Sequence, residues 1–287
     1  MRSIVPVLTV VAGIIAIWYG AAIVMNQQWT RDQAERAGVE LQLSDIVVDT
    51  LSQERPKLPV PHQVAAELWK TTVEKKITSK RSLIYHGWIT LSATLLGFAI
   101  GTGAGILLAV GIVHNRAMDM SVMPWAIASQ TIPILAIAPM IIVVLNSVGV
   151  QGLIPKAIIS AYLSFFPVVV GMVKGLRSPD AMQLDLLKTY GANKGQSFWK
   201  LRLPSSMPYL FTSLKVGIAA SLVGAIVGEL PTGAIRGLGA RMLSGSYYGQ
   251  TIQIWSALIA AAVLAALLVG IVGLIQRITL KRMGMTR

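Results

Sequence analysis

Cysteine is absent from the 287 residues, which excludes a disulfide framework and thiol chemistry. Charge is scarce: 13% of residues carry it, against about 25% in a typical soluble domain. Histidine occurs only at His62, His86 and His114, without metal-ligand spacing. No Gly-x4-Gly-Lys-Ser/Thr loop is present, so the polypeptide does not cradle ATP phosphates in the usual way. A His-Glu-x-x-His zinc helix is missing too, as is an intramembrane serine paired with a histidine. These absences argue against a membrane protease or another enzyme.

What is abundant is apolar sequence, 54% of the chain. A hydrocarbon core about 30 Å thick needs roughly 20 apolar residues per helix. Six stretches qualify, at about 4–25, 87–113, 120–145, 152–173, 209–230 and 252–275. The expected fold class is therefore all-α, a polytopic membrane helix bundle. A cleaved signal peptide is the alternative for the first stretch. Its apolar run is too long, however, and no small-x-small site follows Val24-Met25-Asn26, which favours an uncleaved anchor.

The formal net charge of +13 would point to nucleic acid in a soluble protein, but its distribution points to a membrane. Eight of the twelve acidic residues lie between Asp32 and Glu74, and nine basic residues in 26–86 nearly balance them. The remaining sixteen basic residues face four acids, and most of the excess lies in short segments: Arg2, Arg116, Lys174 to Arg202, and Arg277 to Arg287. By the positive-inside rule both termini and the 174–208 loop are cytoplasmic, while 26–86 and 231–251 lie outside. No nucleic-acid partner is expected.

Residues 26–60 are polar and lack a clear period, and Pro56, Pro59 and Pro61 then punctuate the chain. Ala65, Leu68, Trp69, Thr72, Val73 and Ile77 follow at helical spacing, consistent with a helix on the membrane surface or with a plain spacer helix. In the second span, Gly97, Gly101 and Gly105 share one face and invite a neighbouring backbone to approach. Gly101-Thr-Gly103-Ala-Gly105 has the wrong spacing for a dinucleotide loop, and no strand precedes it.

The third span carries Pro124, Pro133 and Pro139, with Gln130 and Thr131 between the first two. Each proline removes a helical hydrogen bond, and freed carbonyls in a bilayer need partners in protein or in a wet cavity. Gln130, Thr131, Pro133 and Pro139 are thus candidates for a translocation path, or for a kinked packing helix. Glu229 is the one carboxylate inside an expected span. It either lines the path or caps the 231–239 turn and pairs with Arg236. Lys156 and Lys215 sit where long side chains snorkel to the interface.

The most informative stretch is the basic loop at 174–208. Ser178-Pro179-Asp180 opens an expected helix over Ala181–Tyr190, and Gly191 ends it in a left-handed conformation. Leu184, Leu187 and Tyr190, with Phe198 and Trp199, form an apolar side, while Lys188, Lys194, Lys200 and Arg202 stay wet. A helix–glycine–helix element suits docking into a groove on a partner, or folding back on its own bundle.

Within it, Asp185-Leu186-Leu187, three residues, Gly191-Ala192, and then Leu201-x-Leu203-Pro204 resemble the "EAA" loop of ABC transporter permeases, with Glu-Ala-Ala and Ile replaced by residues of like character. From Leu58 to Arg282 the chain is similar to permeases of the nitrate/sulfonate/taurine and thiamine-precursor group. Leu58-Pro59-Val-Pro61-x-x-Val64 opens the resemblance, followed by His86 with Thr90-Leu91 and Gly97-Phe98. Ile132-Pro133-x-Leu135-Ala136-x-Ala138-Pro139, Phe166-Pro167 and Gly237-Leu238-Gly239 continue it.

The resemblance implies a type I ABC importer permease fold in a bacterial inner membrane. Its implied partners are two ATP-binding subunits, a second permease copy or paralogue, and an extracytoplasmic solute-binding protein, within membrane lipid. Asp185, Leu186, Leu187, Gly191, Ala192, Leu203 and Pro204 would meet the ATPase, which would bind ATP, leaving this chain without a cofactor. The division expected is an anchor at 1–25, an external segment at 26–85 and a permease core at 86–287. The solute would be an oxyanion, a sulfonate or a pyrimidine-like molecule, and Tyr247 and Tyr248 suit a planar heterocycle. The rival reading is a self-sufficient secondary transporter coupled to an ion gradient; a non-transporting scaffold is a third.

Overall fold

The computed structural model describes residues 4–38, 40, 42–231 and 236–285, and among them every regular element is helical. The helices are α1 (Ile4–Ala37), α2 (Leu43–Ser52), α3 (Pro61–Trp69), α4 (Leu83–His114), α5 (Arg116–Ser129), α6 (Ile134–Ser147), α7 (Leu153–Leu176), α8 (Ala181–Thr189), α9 (Lys194–Ser197), α10 (Leu203–Glu229), α11 (Leu238–Tyr247) and α12 (Thr251–Arg282). Helices α1, α4, α7, α10 and α12 are long and apolar enough to cross a bilayer, and the pair α5 and α6 makes a sixth span if counted together. Packing divides the chain into two compact units, Met1–His86 with Ala240–Ala261, and Gly87–Gly239 with Ala262–Arg287.

In the first unit, α1 does not stop near residue 25 as expected. Residues 26–37 contain Gln, Ala, Glu and Arg, good helix formers, and the helix continues until Gly38 turns at φ +67°. The polar seam on this extension is satisfied from within. Asn26 is buried, and its side chain donates to the Leu58 carbonyl at 2.9 Å and accepts from the Leu58 amide at 3.1 Å. Thr30 donates to Asp49 Oδ2 at 2.7 Å and accepts from Gln53 Nε2 at 2.9 Å, which fastens α2 to α1. Trp18 donates to the Pro59 carbonyl and packs against Trp255 at 4.9 Å between ring centroids. Arg241 is half-buried in the same unit. Burial pushes its guanidinium pKa down, the charge of Glu67 opposes this, and that of Arg81 adds to it.

In the second unit, α4, α7 and α10 meet along small residues. A Cβ built on Gly97 or Gly101 would collide with Ser160 or Ser164 of α7, and one on Gly105 would stand 2.9 Å from the Phe165 carbonyl. The expected glycine face is therefore the α4–α7 contact. Gly224 of α10 brings its backbone equally near Ser160, where an added Cβ would lie 2.7 Å from the Ser160 Cα. Hydroxyls knit the same junction: Ser160 donates to the Ser221 carbonyl at 2.6 Å, and Ser221 to the Thr94 carbonyl at 2.8 Å. Below it, Ile112, Phe165, Val169, Met172 and Leu176 form an apolar cluster that Phe198 and Leu203 join.

The third expected span is not one kinked helix. Its halves α5 and α6 are bent by 100°. Pro133 supplies the cause. It has no amide hydrogen for the carbonyl of Ser129, and it disfavours helical geometry at Ile132. The Tyr162 hydroxyl of α7 donates to the Ser129 carbonyl instead, so the broken turn keeps its hydrogen bond within protein.

Candidate coupling loop and buried polar cluster

Helix α8 starts where Asp180 takes extended backbone geometry and its amide donates to the Gln183 side chain at 3.2 Å. It stops at Gly191, whose φ of +72° favours glycine. The Gly191 amide donates to the Lys188 carbonyl and the Ala192 amide to the Leu187 carbonyl, both at 2.9 Å, the paired bonds of a Schellman turn. Asn193 then caps α9, its side chain accepting from the Gln196 amide at 2.8 Å. A wide turn over Phe198–Arg202 leads into α10, with Leu203 and Pro204 at its start.

The apolar side of α8 differs from the expected one. Leu184 and Leu187 are half-buried, whereas Tyr190 is 80% exposed and follows Met182 at 83% and Leu186 at 56%. These three recur every four residues, so they form one outward stripe. Asp185 sits beside it, bonded to Lys188 at 2.8 Å. Phe198 anchors the loop by packing edge-on to His114, with centroids 5.3 Å apart, while Trp199 stays exposed. Arg202 donates to the Leu176 carbonyl at 3.0 Å, and Arg177 pairs with Asp119 at 2.8 Å.

At the opposite end of α10, Glu229 is fully buried. Thr90 of α4 donates to its Oε1 at 2.9 Å, and the Gly239 amide donates to its Oε2 at 2.8 Å. Thr90 in turn accepts from the Leu238 amide at 2.9 Å. Lys156 of α7 lies 3.8 Å from the carboxylate and donates to the Arg236 carbonyl at 3.2 Å. Gly237, at φ +126°, is pressed so near the carboxylate that a Cβ there would overlap it.

The cation facing Glu229 is therefore Lys156, and Arg236 contributes its backbone rather than its charge. Lys156 does not snorkel. It is 8% exposed, because a buried carboxylate next to it makes burial of the ammonium less costly than leaving either alone. Sequence reading placed Thr90 only within the resemblance and missed its bond to Glu229 and this use of Lys156. The available signal was a carboxylate and a lysine both placed in apolar spans, each needing a partner. Of the 231–239 turn, residues 232–235 lie outside the described residues.

The path candidates sit at the broken span. Gln130 ends α5, with its Nε2 buried and without a hydrogen-bond partner among the described residues. Thr131 and Pro133 are exposed in the corner, and Pro139 lies within α6 beside the buried Ala138. The structure groups Gln130, Thr131 and Pro133, with Pro139 about a turn and a half further on. Tyr247 and Tyr248 are both exposed at the end of α11. Among the described residues no group of His, Asp or Glu is arranged to hold a metal.

The class these features belong to, a multi-span helical bundle with a small-residue core and a helix–glycine–helix loop between two spans, is a polytopic membrane protein. Residues 101–285 match the family described as the binding-protein-dependent transport system inner membrane component, and the chain belongs to that family. It is 33% identical to the formylaminopyrimidine transport permease protein of Halalkalibacterium halodurans over 183 residues, 63% of this chain and 68% of that one. Over 224 residues it is 30% identical to the riboflavin transport system permease protein of Chloroflexus aurantiacus, covering 78% and 80%. A putative aliphatic sulfonates transport permease protein of Bacillus subtilis is 25% identical over 207 residues, covering 72% and 73%. The protein is thus a bacterial, multi-pass inner-membrane ABC permease of the nitrate/sulfonate/thiamine-precursor type.

Proposed function

We propose that the chain forms the translocation path of an ATP-driven importer for a small solute, an oxyanion, a sulfonate or a pyrimidine-like molecule, delivered by an extracytoplasmic binding protein. Two permease chains, identical or paralogous, face each other, and two ATPase subunits hold their loops. ATP is bound by those subunits. The termini and the 174–208 loop are cytoplasmic, in keeping with the basic residues gathered there.

The outward stripe Met182, Leu186 and Tyr190 on a helix closed by a Schellman turn is the observation that carries this reading. Exposed apolar residues at i, i+4 and i+8 fit a groove on a partner. Asp185, Leu186, Leu187, Gly191 and Ala192 form the contact and its turn, and Leu203 and Pro204 pass its movement to α10. Gln130, Thr131, Pro133 and Pro139 border the path at the α5–α6 corner, where the Gln130 amide, without a partner among the described residues, is available to a solute. Glu229 fastens the outer end of the path, because its carboxylate is engaged by Thr90, Lys156 and Gly239. The kinship to permeases named for a pyrimidine, riboflavin and sulfonates supports a small anionic or heterocyclic solute.

The test is co-purification with ATP-binding subunits co-expressed from the same organism, comparing wild type with Leu186→Asp and Gly191→Asp. Both variants are expected to lose the ATPase while keeping the melting profile of the permease. If wild type retains no ATPase, the importer reading fails and ion-coupled transport replaces it.

A further inference from the structure

Between the end of α4 and the coupling loop lies a cavity of about 340 Å³ whose polar lining is dominated by cations. His114, Lys188, Lys194 and Arg202 converge on it, and no carboxylate does. Lys188, Lys194 and Arg202 around one small space repel each other unless an anion joins them, and His114 adds an imidazole. Within the chain that compensation is partial: Asp185, outside the cavity, takes Lys188, and no ion pair to Lys194 or Arg202 exists among the described residues. Arg202 uses one nitrogen on the Leu176 carbonyl, which fixes the guanidinium in place and leaves its other donors for a ligand. The His114 Nδ1 lies 2.8 Å from the Val110 carbonyl, so the ring is oriented before anything binds.

The rest of the lining is apolar, from Val113, Leu184 and Ala192, and Ser197 adds one hydroxyl. His114 is the last residue of a membrane-spanning helix. The niche therefore sits where lipid headgroups lie, and its lining combines cationic with apolar side chains. Its volume is in the range of small-molecule sites, about 300–1,000 Å³.

We infer that this niche binds a phosphate group, supplied by the headgroup of an anionic phospholipid. The lipid source rests on the proposed cytoplasmic placement of the loop, since basic pockets at that membrane face attract anionic headgroups. A phosphate bridging His114 of α4, Lys188 of α8 and Arg202 ahead of α10 ties the coupling helix to the bundle it moves.

The experiment uses the full chain in nanodiscs of phosphatidylcholine alone and of phosphatidylcholine with phosphatidylglycerol. Bound phosphatidylglycerol is read by native mass spectrometry and stability by thermal melting. Lys188→Gln/Lys194→Gln is compared with Lys200→Gln, a nearby lysine outside the niche; all three lysines are exposed, so their loss leaves the core intact. Wild type and Lys200→Gln are expected to retain phosphatidylglycerol and melt higher with it, while the double variant loses about fivefold in retention per lysine removed. Stabilisation by inorganic phosphate in phosphatidylcholine discs, abolished by the double variant, also supports the niche and assigns it a soluble source. Equal retention by the double variant and wild type, or no response to lipid or phosphate, overturns the inference. No ATPase is present in this assay, so its failure is separable from failure of the importer reading.

Discussion

Lys156 and Glu229 form a buried ion pair at 3.8 Å, with both charges shared out further: the lysine to the Arg236 carbonyl, the carboxylate to Thr90 and the Gly239 amide. The pair joins α7 to α10 and, through Gly239, holds the start of α11. Removing one partner leaves the other charged and buried, which costs about 3–5 kcal/mol. Glu229→Ala and Lys156→Ala are each expected to lower the melting temperature sharply, whereas Lys156→Met with Glu229→Met recovers much of the loss. Thermal unfolding in detergent of wild type, Lys156→Met, Glu229→Met and the Lys156→Met/Glu229→Met double variant closes the double-mutant cycle. Additive losses would show that the two side chains do not interact.

The glycines of α4 are not equivalent. Gly101 meets Ser164 and the Ala161 carbonyl, whereas nothing lies within 4 Å of a Cβ on Gly103. Gly101→Ala is expected to destabilise the fold by about 1–3 kcal/mol through overpacking. Gly103→Ala is expected to be neutral or slightly stabilising, as alanine favours the helix. Denaturant titrations of both variants, read by tryptophan fluorescence, check the contrast.

At the broken span, Tyr162 supplies the hydrogen bond that Pro133 cannot. Tyr162→Phe leaves the Ser129 carbonyl unpaired, at a cost of about 1–3 kcal/mol. Paired spin labels at Trp125 and Met140 are expected to show a wider distance distribution in this variant. The absence of native cysteine makes such labelling direct. An unchanged distribution would mean that the corner holds without Tyr162.

Asn26 holds both backbone groups of Leu58. Asn26→Leu abandons two part-buried backbone groups of Leu58 and is expected to loosen the 53–60 segment. Limited tryptic proteolysis in nanodiscs should then cut after Lys57 several-fold faster than in wild type. Equal cleavage rates would remove Asn26 from this role.

Much of this architecture was legible in the sequence, because apolar length, glycine spacing and proline position act locally. The α4 face of Gly97, Gly101 and Gly105 was read correctly for that reason, as was the left-handed end of α8 at Gly191. The 100° corner was underestimated. Proline announces a lost hydrogen bond, but the size of the bend depends on Tyr162, which lies on another helix. The Glu229 cluster was half visible: its carboxylate stood out, while Thr90 and Lys156 come from spans far away in sequence. The extension of α1 past residue 25 was hidden because its buried face is polar, with Asn26 and Thr30 where a hydrophobic period would be sought.

That extension has a mechanical consequence. Helix α1 has 34 residues, about 51 Å at ~1.5 Å per residue, against a hydrocarbon core of about 30 Å. A span of that length ordinarily adjusts to lipid thickness by tilting or sliding. Here the end beyond the apolar stretch is clamped by Asn26 to the Leu58 backbone and by Thr30 to Asp49 and Gln53. The helix therefore tilts or slides only together with the 49–58 segment it is clamped to, so an adjustment to bilayer thickness at α1 is carried directly into that segment.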